Sequence, residues 1–426
     1  MNLVKNKQIS DTRKATKLRR KDLDCKVYSC KIDKSHLSKK SAEFLRMIFT
    51  EAKWFINDII ARDAIFTSDY KKKNPLVLKD GKTPEERKII HLSSQIRQEL
   101  AAQLKQDVFT LSRVKRKGIR IGKLKFKREI YSLPLNQNGI TFKIIDTRRI
   151  RIQGNRAAIR IQGLNQIPKE AETANAILIH RASNYYVNFT CFLPKTPREK
   201  TGKAIGLDFG VETMITTSDG EPFNISIPES PRLRKLQRGR FTRKVKGSKN
   251  WIRATNKIAV EYSKTTNQKK DLKNQLVYKL VKEYDVIVCQ DENLKGWQKG
   301  WFGKQVHRSC MKGIISDLKH KSETFILVDK WFPSTQLCEV CGNRQEVKLS
   351  ERVYRCPVCG NTKDRDTHSA INILNEGLKA LRVMGSPEHA KSPVELLTST
   401  KTALWSFGKP MTMKQEVVSP RGSGSS

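Results

Sequence analysis

The chain has 426 residues, and its 84 lysines and arginines stand against 42 aspartates and glutamates, a formal net charge of +42. Self-repulsion of that size opposes folding, so the excess indicates a polyanionic partner, of which nucleic acid is the commonest. The length predicts two to four domains. No segment approaches 18 consecutive apolar residues and no signal peptide is recognisable, which argues against a membrane protein or a secreted one.

The first part of the chain reads as a basic tail, a strand and a helical segment. Residues 1–24 are basic and polar, and we predict a disordered tail that either contacts phosphate or is simply solvated. Apolar and polar residues alternate over 25–32, which predicts a strand. Helical spacing of apolar residues follows over 45–60 and 96–111, with a loop at 71–82 between them. Thr-Pro-Glu-Glu at 83–86 resembles a helix start with a capping box.

The pattern then changes to strands. Alternation predicts them at 119–127, 150–153, 159–162, 176–180 and 185–192. Several of these strands alternate isoleucine with arginine or lysine. Such a strand buries one face and presents a charged one, which is either solvated or part of a groove for a nucleic-acid backbone. The net charge favours the groove.

A third kind of sequence begins near residue 203. An apolar strand runs into Asp208 and continues as a hairpin through residue 217, and long basic helices are predicted over 232–274. A second buried strand, 284–292, ends at Glu292, and a third, 326–331, precedes a cysteine-rich segment. The residues from 385 onward are rich in proline, serine and threonine and are expected to be disordered.

Two Cys-x-x-Cys pairs, 338–341 and 356–359, have the spacing of a zinc ribbon. Four thiolates close a tetrahedron around structural zinc, so we predict Cys338, Cys341, Cys356 and Cys359 as its ligands. The other cysteines are scattered and fit free thiols in a reducing, intracellular compartment. Asp364 and Asp366 follow the second pair and precede an apolar run at 370–374. We therefore predict that the ribbon braces a catalytic carboxylate on a helix.

Three acids lie at the ends of apolar segments: Asp208, Glu292 and Asp366. An unpaired carboxylate is costly there, and a shared divalent cation removes that cost. Two Mg²⁺ ions held by such acids can activate water and stabilise the leaving oxygen of a phosphodiester. Asp364 competes with Asp366, and Asp291 with Glu292. We prefer Asp366 because it stands at a helix start, and Glu292 because of the strand register.

The segments 206–210, 290–296, 338–341, 356–360 and 364–373 together resemble the TnpB family, whose members are encoded by insertion sequences and are similar to the ancestors of type V CRISPR effectors. The resemblance covers about residues 25–380. It implies an α/β multidomain protein: an RNase H-like (RuvC) nuclease with an inserted zinc ribbon, and an N-terminal β-barrel wedge interrupted by a helical recognition domain. It places Asp208, Glu292 and Asp366 on the family's catalytic acids, and Arg352 near the scissile phosphate.

The resemblance also implies a domain order. The basic tail (1–24) precedes the first wedge strand (25–35), the recognition domain (36–118) and the rest of the wedge (119–200). The nuclease (201–333 and 362–384) is split by the ribbon (334–361), and the disordered tail (385–426) follows. The partners implied are a guide RNA from the end of the element and a double-stranded DNA target, in the cytoplasm of a prokaryote and at the nucleoid when DNA is bound.

The expected activity is RNA-guided, Mg²⁺-dependent DNA cleavage beside a short transposon-adjacent motif. The sequence departs from the family where Asp-x-Asn-Ala-Ala is replaced by Asp366-Thr-His-Ser-Ala370, and where Gln290 and Asp291 replace an apolar pair before Glu292. Two alternatives remain open: an RNA-guided repressor that binds DNA with weak or no cleavage, and a nuclease or transposase that uses the same fold without RNA.

Overall fold

The computed structural model describes residues 2–67, 74–79, 83–122, 124–182, 184–225, 227–348 and 350–384. Two compact units divide the chain: Met1–Arg198 with Leu236–Val260, and Glu199–Lys235 with Glu261–Ser426. The tail expected at 385–426 and half of the predicted loop at 71–82, namely residues 71–73 and 80–82, lie outside the described residues. None of the described helices is both long and apolar enough to cross a membrane.

The first unit contains an antiparallel sheet that forms a nearly closed barrel, in the strand order β4-β8-β9-β1-β7-β6-β5. The apolar faces of α2 and α3 pack with the inward side chains of this sheet in one core. The elements are α1 (Asn2–Arg19), β1 (Leu23–Ile32), α2 (Lys39–Ala61), β2 (Leu76–Lys79), β3 (Thr83–Glu86), α3 (Ser94–Arg116), β4 (Ser132–Leu135), β5 (Phe142–Ile144), β6 (Arg149–Ile152), β7 (Ile159–Gln162), β8 (Glu172–Arg181) and β9 (Asn184–Pro194).

Four local predictions in this unit are wrong. Leu76–Lys79, within the predicted loop at 71–82, form strand β2. Residues 2–19 form helix α1 rather than a disordered tail, because the segment is free of glycine and proline and contains many good helix formers. Residues 83–86 do not start a helix: they are strand β3, paired with Leu76–Lys79. Residues 119–122 and 124–127 are not in a strand. The side chain of Asn57 takes the place of a neighbouring strand at Lys127, accepting from its backbone N at 2.7 Å and donating to its carbonyl at 2.9 Å.

The second unit is built on a five-stranded sheet in the order β12-β11-β10-β13-β14. Strands β10, β13 and β14 are parallel, and β11 and β12 continue the sheet in antiparallel fashion. The helices α4 (Pro231–Arg243) and α5 (Lys249–Glu283) each have residues in both units. The remaining elements are β10 (Ala204–Phe209), β11 (Ile215–Thr217), β12 (Pro222–Phe223), β13 (Val286–Gln290), α6 (Leu294–Lys299), α7 (Gly303–Ser309), α8 (Met311–Lys321), β14 (Thr324–Val328), β15 (Val353–Arg355), β16 (Thr362–Asp364) and α9 (Arg365–Met384).

The two faces of this sheet have different roles. Successive side chains of a strand point to opposite faces. Ile205, Leu207 and Phe209 of β10 enter the core formed with α5 and α8. Gly206 and Asp208 therefore face the other side, where α9 packs. The same alternation along β13 places Gln290 on the α9 side. Since Leu207 pairs with Cys289, the next residues along the two parallel strands, Asp208 and Gln290, are neighbours.

Candidate active site and zinc cluster

Asp208 lies at the carboxyl end of the central strand β10, half-buried, with two further acids near it. Burial, together with the negative charges of Asp366 and Glu292, raises the pKa of Asp208 to about 8. A hydrogen bond from Ser369 and the positive charge of Arg365 oppose that rise without cancelling it. The structure thus brings together, within electrostatic range, three acids that are far apart in the sequence.

Glu292 follows β13 by two residues, and its partly buried position distinguishes it from its neighbour. Burial and then the charge of Asp291 raise the pKa of Glu292. Asp291 itself is exposed. The charge of Glu292 is one of the causes that raise the pKa of Asp208. The choice of Glu292 over Asp291 stays a prediction.

Asp364 and Asp366 have separate roles at the start of α9. The carboxylate of Asp364 accepts hydrogen bonds from the backbone N and the Oγ1 of Thr367, both at 2.9 Å, as a helix-capping residue does. Asp366 lies in the first turn and pairs with Arg365 at 3.0 Å. Arg365 also donates to the carbonyl of Glu351 at 3.0 Å, which connects this turn to the segment before β15. Asp364 is thereby occupied as a cap, while the charge of Asp366 acts on Asp208. The choice of Asp366 over Asp364 stays a prediction.

Arg352 belongs to the predicted ribbon and contacts the segment that follows β10. Its guanidinium forms a close ion pair with Glu212, four residues after Asp208, and both side chains are largely exposed. Its carbonyl accepts a hydrogen bond from the backbone N of Arg365 at 2.8 Å. No sequence pattern points to Glu212, and Arg365 could have been found only as the basic residue between two aspartates.

The four predicted cysteines converge. Their sulfur atoms all lie within 4.8 Å of one another, and the pairs Cys338–Cys359 and Cys341–Cys356 are each 3.5 Å apart. Four sulfurs about 2.3 Å from a tetrahedral zinc ion have comparable separations. Burial disfavours the Cys338 thiolate, but the backbone N–H groups of Cys341 and Val340 outweigh burial and lower the pKa of Cys338 to about 6. The donor set therefore fits a thiolate-bound metal.

His368 is a packing residue in this structure. It is fully buried, and its ring stacks on Tyr354 at 3.8 Å with an interplanar angle of 12°. Burial lowers the pKa of His368, which favours the neutral ring. Its Nε2 lies 3.4 Å from the amide nitrogen of Asn372. His368 thus packs α9 against strand β15 of the ribbon, through Tyr354. Among the described residues, its ring-stacking and side-chain hydrogen-bond contacts are with Tyr354 and Asn372 rather than with the acids.

The three acids and the four cysteines offer two different metal chemistries. Among the described residues, the cysteines form a compact cluster of ligand atoms, whereas Asp208, Glu292 and Asp366 do not form one. The negative charges of Asp366 and Glu292 instead make ionisation of the half-buried Asp208 carboxyl group unfavourable. Hard oxygen donors in that situation suit a divalent cation such as Mg²⁺.

Comparison with known proteins bears out the TnpB resemblance. A family model described as "Probable transposase" matches residues 179–298, and one described as "Cas12f1-like, TNB domain" matches residues 313–373. A protein of Streptomyces pristinaespiralis named "Putative RNA-guided DNA endonuclease" is 32% identical over 50% of this chain and 55% of its own length. An Escherichia coli K12 protein of the same name with the addition InsQ is 28% identical over 48% of this chain and 58% of its own.

The chain spans about half the length of these curated relatives. Among solved structures, the cryo-EM structure of a Cas12f1–sgRNA–target DNA complex aligns with 83% of this chain and 99% of that chain, at 12% identity and a TM-score of 0.45. A cryo-EM structure of a CRISPR–Cas12f ternary complex aligns with 79% of this chain at a TM-score of 0.29.

Proposed function

We propose that this chain, which resembles the TnpB family, is an RNA-guided DNA endonuclease encoded by a transposable element and cutting beside a short transposon-adjacent motif. The observation that carries the proposal is Asp208, a half-buried acid whose pKa is raised by burial and by the charges of Asp366 and Glu292. Active sites bring like charges together in a buried position where the chemistry requires a bound cation or a retained proton. The names of the curated relatives support the choice of a nuclease guided by RNA.

The second unit would be the RuvC-like nuclease domain. Its strand order, with three parallel strands extended by an antiparallel hairpin, supports an RNase H-like sheet. Asp208, Glu292 and Asp366 would hold Mg²⁺, which supplies an activated water and charge neutralisation at the leaving oxygen. Asp208 would be the shared ligand, since the negative charges of both Glu292 and Asp366 raise its pKa. Arg352, once released from Glu212, would contact the scissile phosphate.

The zinc-bound ribbon would serve as a brace and take no part in the chemistry. Strand β16 runs directly into α9, and Asp366 lies in the first turn of that helix. A folded ribbon therefore fixes the start of the helix that carries the acid. In the first unit, the sheet would be the wedge and α2 and α3 the recognition helices, and the exposed basic residues of both would contact guide RNA and DNA through the phosphate backbone.

The decisive experiment expresses the full chain with and without the RNA transcribed from the end of its element. We expect an RNA to copurify, and we expect Mg²⁺-dependent cleavage only of duplexes that match its guide. Asp208→Ala should abolish cleavage and leave RNA binding unchanged. Cleavage that is equally fast without RNA would favour an RNA-independent nuclease, and target binding without any cleavage would favour a repressor. Either result would overturn the proposal.

A further inference from the structure

A tryptophan stands in solvent just beyond the last strand of the second unit's sheet. Trp331 follows the end of β14 by three residues, and it is 79% exposed. A single exposed apolar side chain is common on protein surfaces and needs no explanation by itself. What distinguishes Trp331 is that its backbone is firmly anchored while its ring remains in water.

Residues 329–332 form a turn that holds the tryptophan. The backbone N of Trp331 donates to the carboxylate of Asp329 at 2.7 Å, and the backbone N of Phe332 donates to the carbonyl of Asp329 at 3.1 Å. The side chain of Phe332 packs against the core on the α9 side of the sheet. The turn is therefore fixed by its own hydrogen bonds and by a buried neighbour of the tryptophan.

A further anchor is Gln290, the last residue of β13, which is 5% exposed. Its Oε1 accepts a hydrogen bond from Ser334 Oγ at 2.9 Å, and Ser334 Oγ accepts one from Ser369 Oγ of α9 at 3.0 Å. The amide nitrogen of Gln290 therefore faces the carbonyl oxygens of the turn, of which that of Phe332 is the nearest, at 2.8 Å. The turn is thus tied to the strand that leads to Glu292.

The turn also lies at the edge of the sheet where the candidate acids are found. The parallel strands β10, β13 and β14 end together there, and the backbone N of Asp291 donates to the carbonyl of Val328 at 3.0 Å. Neighbouring strands are about 4.8 Å apart, so β14 ends about 10 Å from the strand of Asp208. A nucleic-acid strand with one phosphodiester at the acids would therefore pass Trp331 within a few nucleotides.

The chemistry around the indole favours an unpaired base as its occupant. The Nζ of Lys330 lies 4.8 Å from the centroid of the indole, a cation–π distance, and this ammonium could also meet a phosphate of the same strand. Every base has a π-face that can stack on an aromatic ring. A protein partner would need about 800 Å² of surface, far more than one side chain offers. The net charge of +42 also favours nucleic acid.

We propose that Trp331 is a stacking platform for one base of the unpaired DNA strand that enters the site of the acids, with Lys330 contacting its phosphate. A stacked base would fix the register of the strand and therefore which phosphodiester is cut. The choice of DNA rests on the proposed function, because that function brings DNA to the acids.

The first test is photocrosslinking of single-stranded DNA containing 5-iodouracil to the zinc-loaded full chain, without added Mg²⁺ and at about 0.2 M salt, which weakens backbone contacts. Mass spectrometry should find a crosslink on Trp331. Trp331→Ala should weaken binding of this DNA about tenfold, the loss of one stacked base, and Trp331→Phe should restore most of it. Tyr278→Ala is the matched control and should change nothing, since Tyr278 is 68% exposed on α5, which packs on the other face of the sheet.

Absence of the Trp331 crosslink, or unchanged DNA affinity in Trp331→Ala, would overturn the platform. Stronger crosslinking of an RNA of the same sequence would overturn the choice of DNA.

The second test maps the ends of cleavage products of the guide-loaded protein. Trp331→Ala should spread the cut over neighbouring positions, whereas Trp331→Phe should keep the wild-type position, and an unchanged pattern in Trp331→Ala would overturn the role in register. Crosslinking does not require cleavage, so Asp208→Ala should crosslink normally. A wild-type chain that crosslinks at Trp331 but shows no guided cleavage would refute the proposed function and leave the platform for unpaired DNA standing.

Discussion

Gly206 on β10 lies so close to the carbonyl oxygen of Ala370 on α9 that a Cβ atom at residue 206 would overlap it. A second glycine, Gly377 on α9, meets the side chain of Val288 on β13 in the same way. The missing side chains allow helix and sheet to approach each other at two points. The first of them lies two residues from Asp208 and four residues from Asp366. Glycine at position 206 is thus explained by the close approach of β10 and α9, the two elements that hold Asp208 and Asp366.

Gly206→Ala should destabilise the second unit by about 3 kcal/mol or more, because the added methyl meets a backbone oxygen that cannot rotate away. It should also reduce cleavage, since α9 must shift and take Asp366 with it. Thermal unfolding and cleavage assays measure the two effects. Gly239→Ala is the control: no heavy atom lies within 4 Å of its added Cβ, and in helix α4 the change should stabilise by about 1 kcal/mol. Equal stability of the two variants would contradict the close approach.

Much of this arrangement could be predicted from the sequence, because it depends on local patterns. The alternation of apolar residues around Asp208 indicates a buried strand, and the cysteine spacing indicates the cluster that the structure forms. The spatial neighbours could not be predicted. Ser334 is 35 residues from Ser369, and neither residue has a pattern that points to the other. Strand β3 was missed for a similar reason: its identity depends on pairing with Leu76–Lys79, and Pro84 fits a helix start equally well.

The stability of the metal-free protein should fall as the pH rises toward 8. The folded chain holds the Asp208 proton more tightly than the unfolded chain does, since the folded pKa is about 8 and the ordinary value is 3.8. Raising the pH between these values therefore removes stability. Asp208→Asn should be more stable than the wild type at pH 8 and should show a flatter dependence. Thermal unfolding without added Mg²⁺ checks this, with Asp271→Asn, an exposed acid of the same unit, as control.

The same competition should govern metal binding. Because a divalent cation must displace the Asp208 proton, its apparent affinity should rise by up to tenfold per pH unit below about 8 and level off above it. Titration calorimetry with Mg²⁺ at several pH values measures this dependence. An affinity that does not change between pH 6 and pH 8 would show that the metal does not compete with that proton.

Removal of zinc should disable cleavage through the position of Asp366. The second cysteine pair lies between β15 and β16, and β16 continues into α9 at Arg365. Cys356→Ser should lower the zinc content and reduce cleavage at least tenfold, and it should increase hydrogen exchange in the first turn of α9. Cys25→Ser, an exposed cysteine outside the ribbon, should change none of these. A Cys356 variant that has lost zinc but cleaves normally would remove the ribbon from the mechanism.

The charged face of the first unit supplies the last prediction. Lys143 on β5 and Arg151 on β6 are both exposed and directly opposite each other. Like charges in such a pair repel, so a bound phosphate would relieve a cost already present in the free protein. Arg149 on the same strand differs, because its Nε lies 2.6 Å from the carboxylate of Asp146.

Arg151→Ala should therefore weaken binding of the guide RNA and reduce the slope of log affinity against log salt concentration by about 1, the value for one lost phosphate contact. Arg149→Ala should change that slope less, since its charge is already neutralised within the protein. Filter binding between about 50 and 200 mM salt, a range over which phosphate contacts make affinity strongly salt-dependent, measures both slopes. The two arginines lie on one strand and each faces a basic residue of a neighbouring strand, Lys143 or Arg160, but only Arg149 is paired with Asp146. Slopes equal to that of the wild type in both variants would indicate that this face is only solvated and that RNA binds elsewhere.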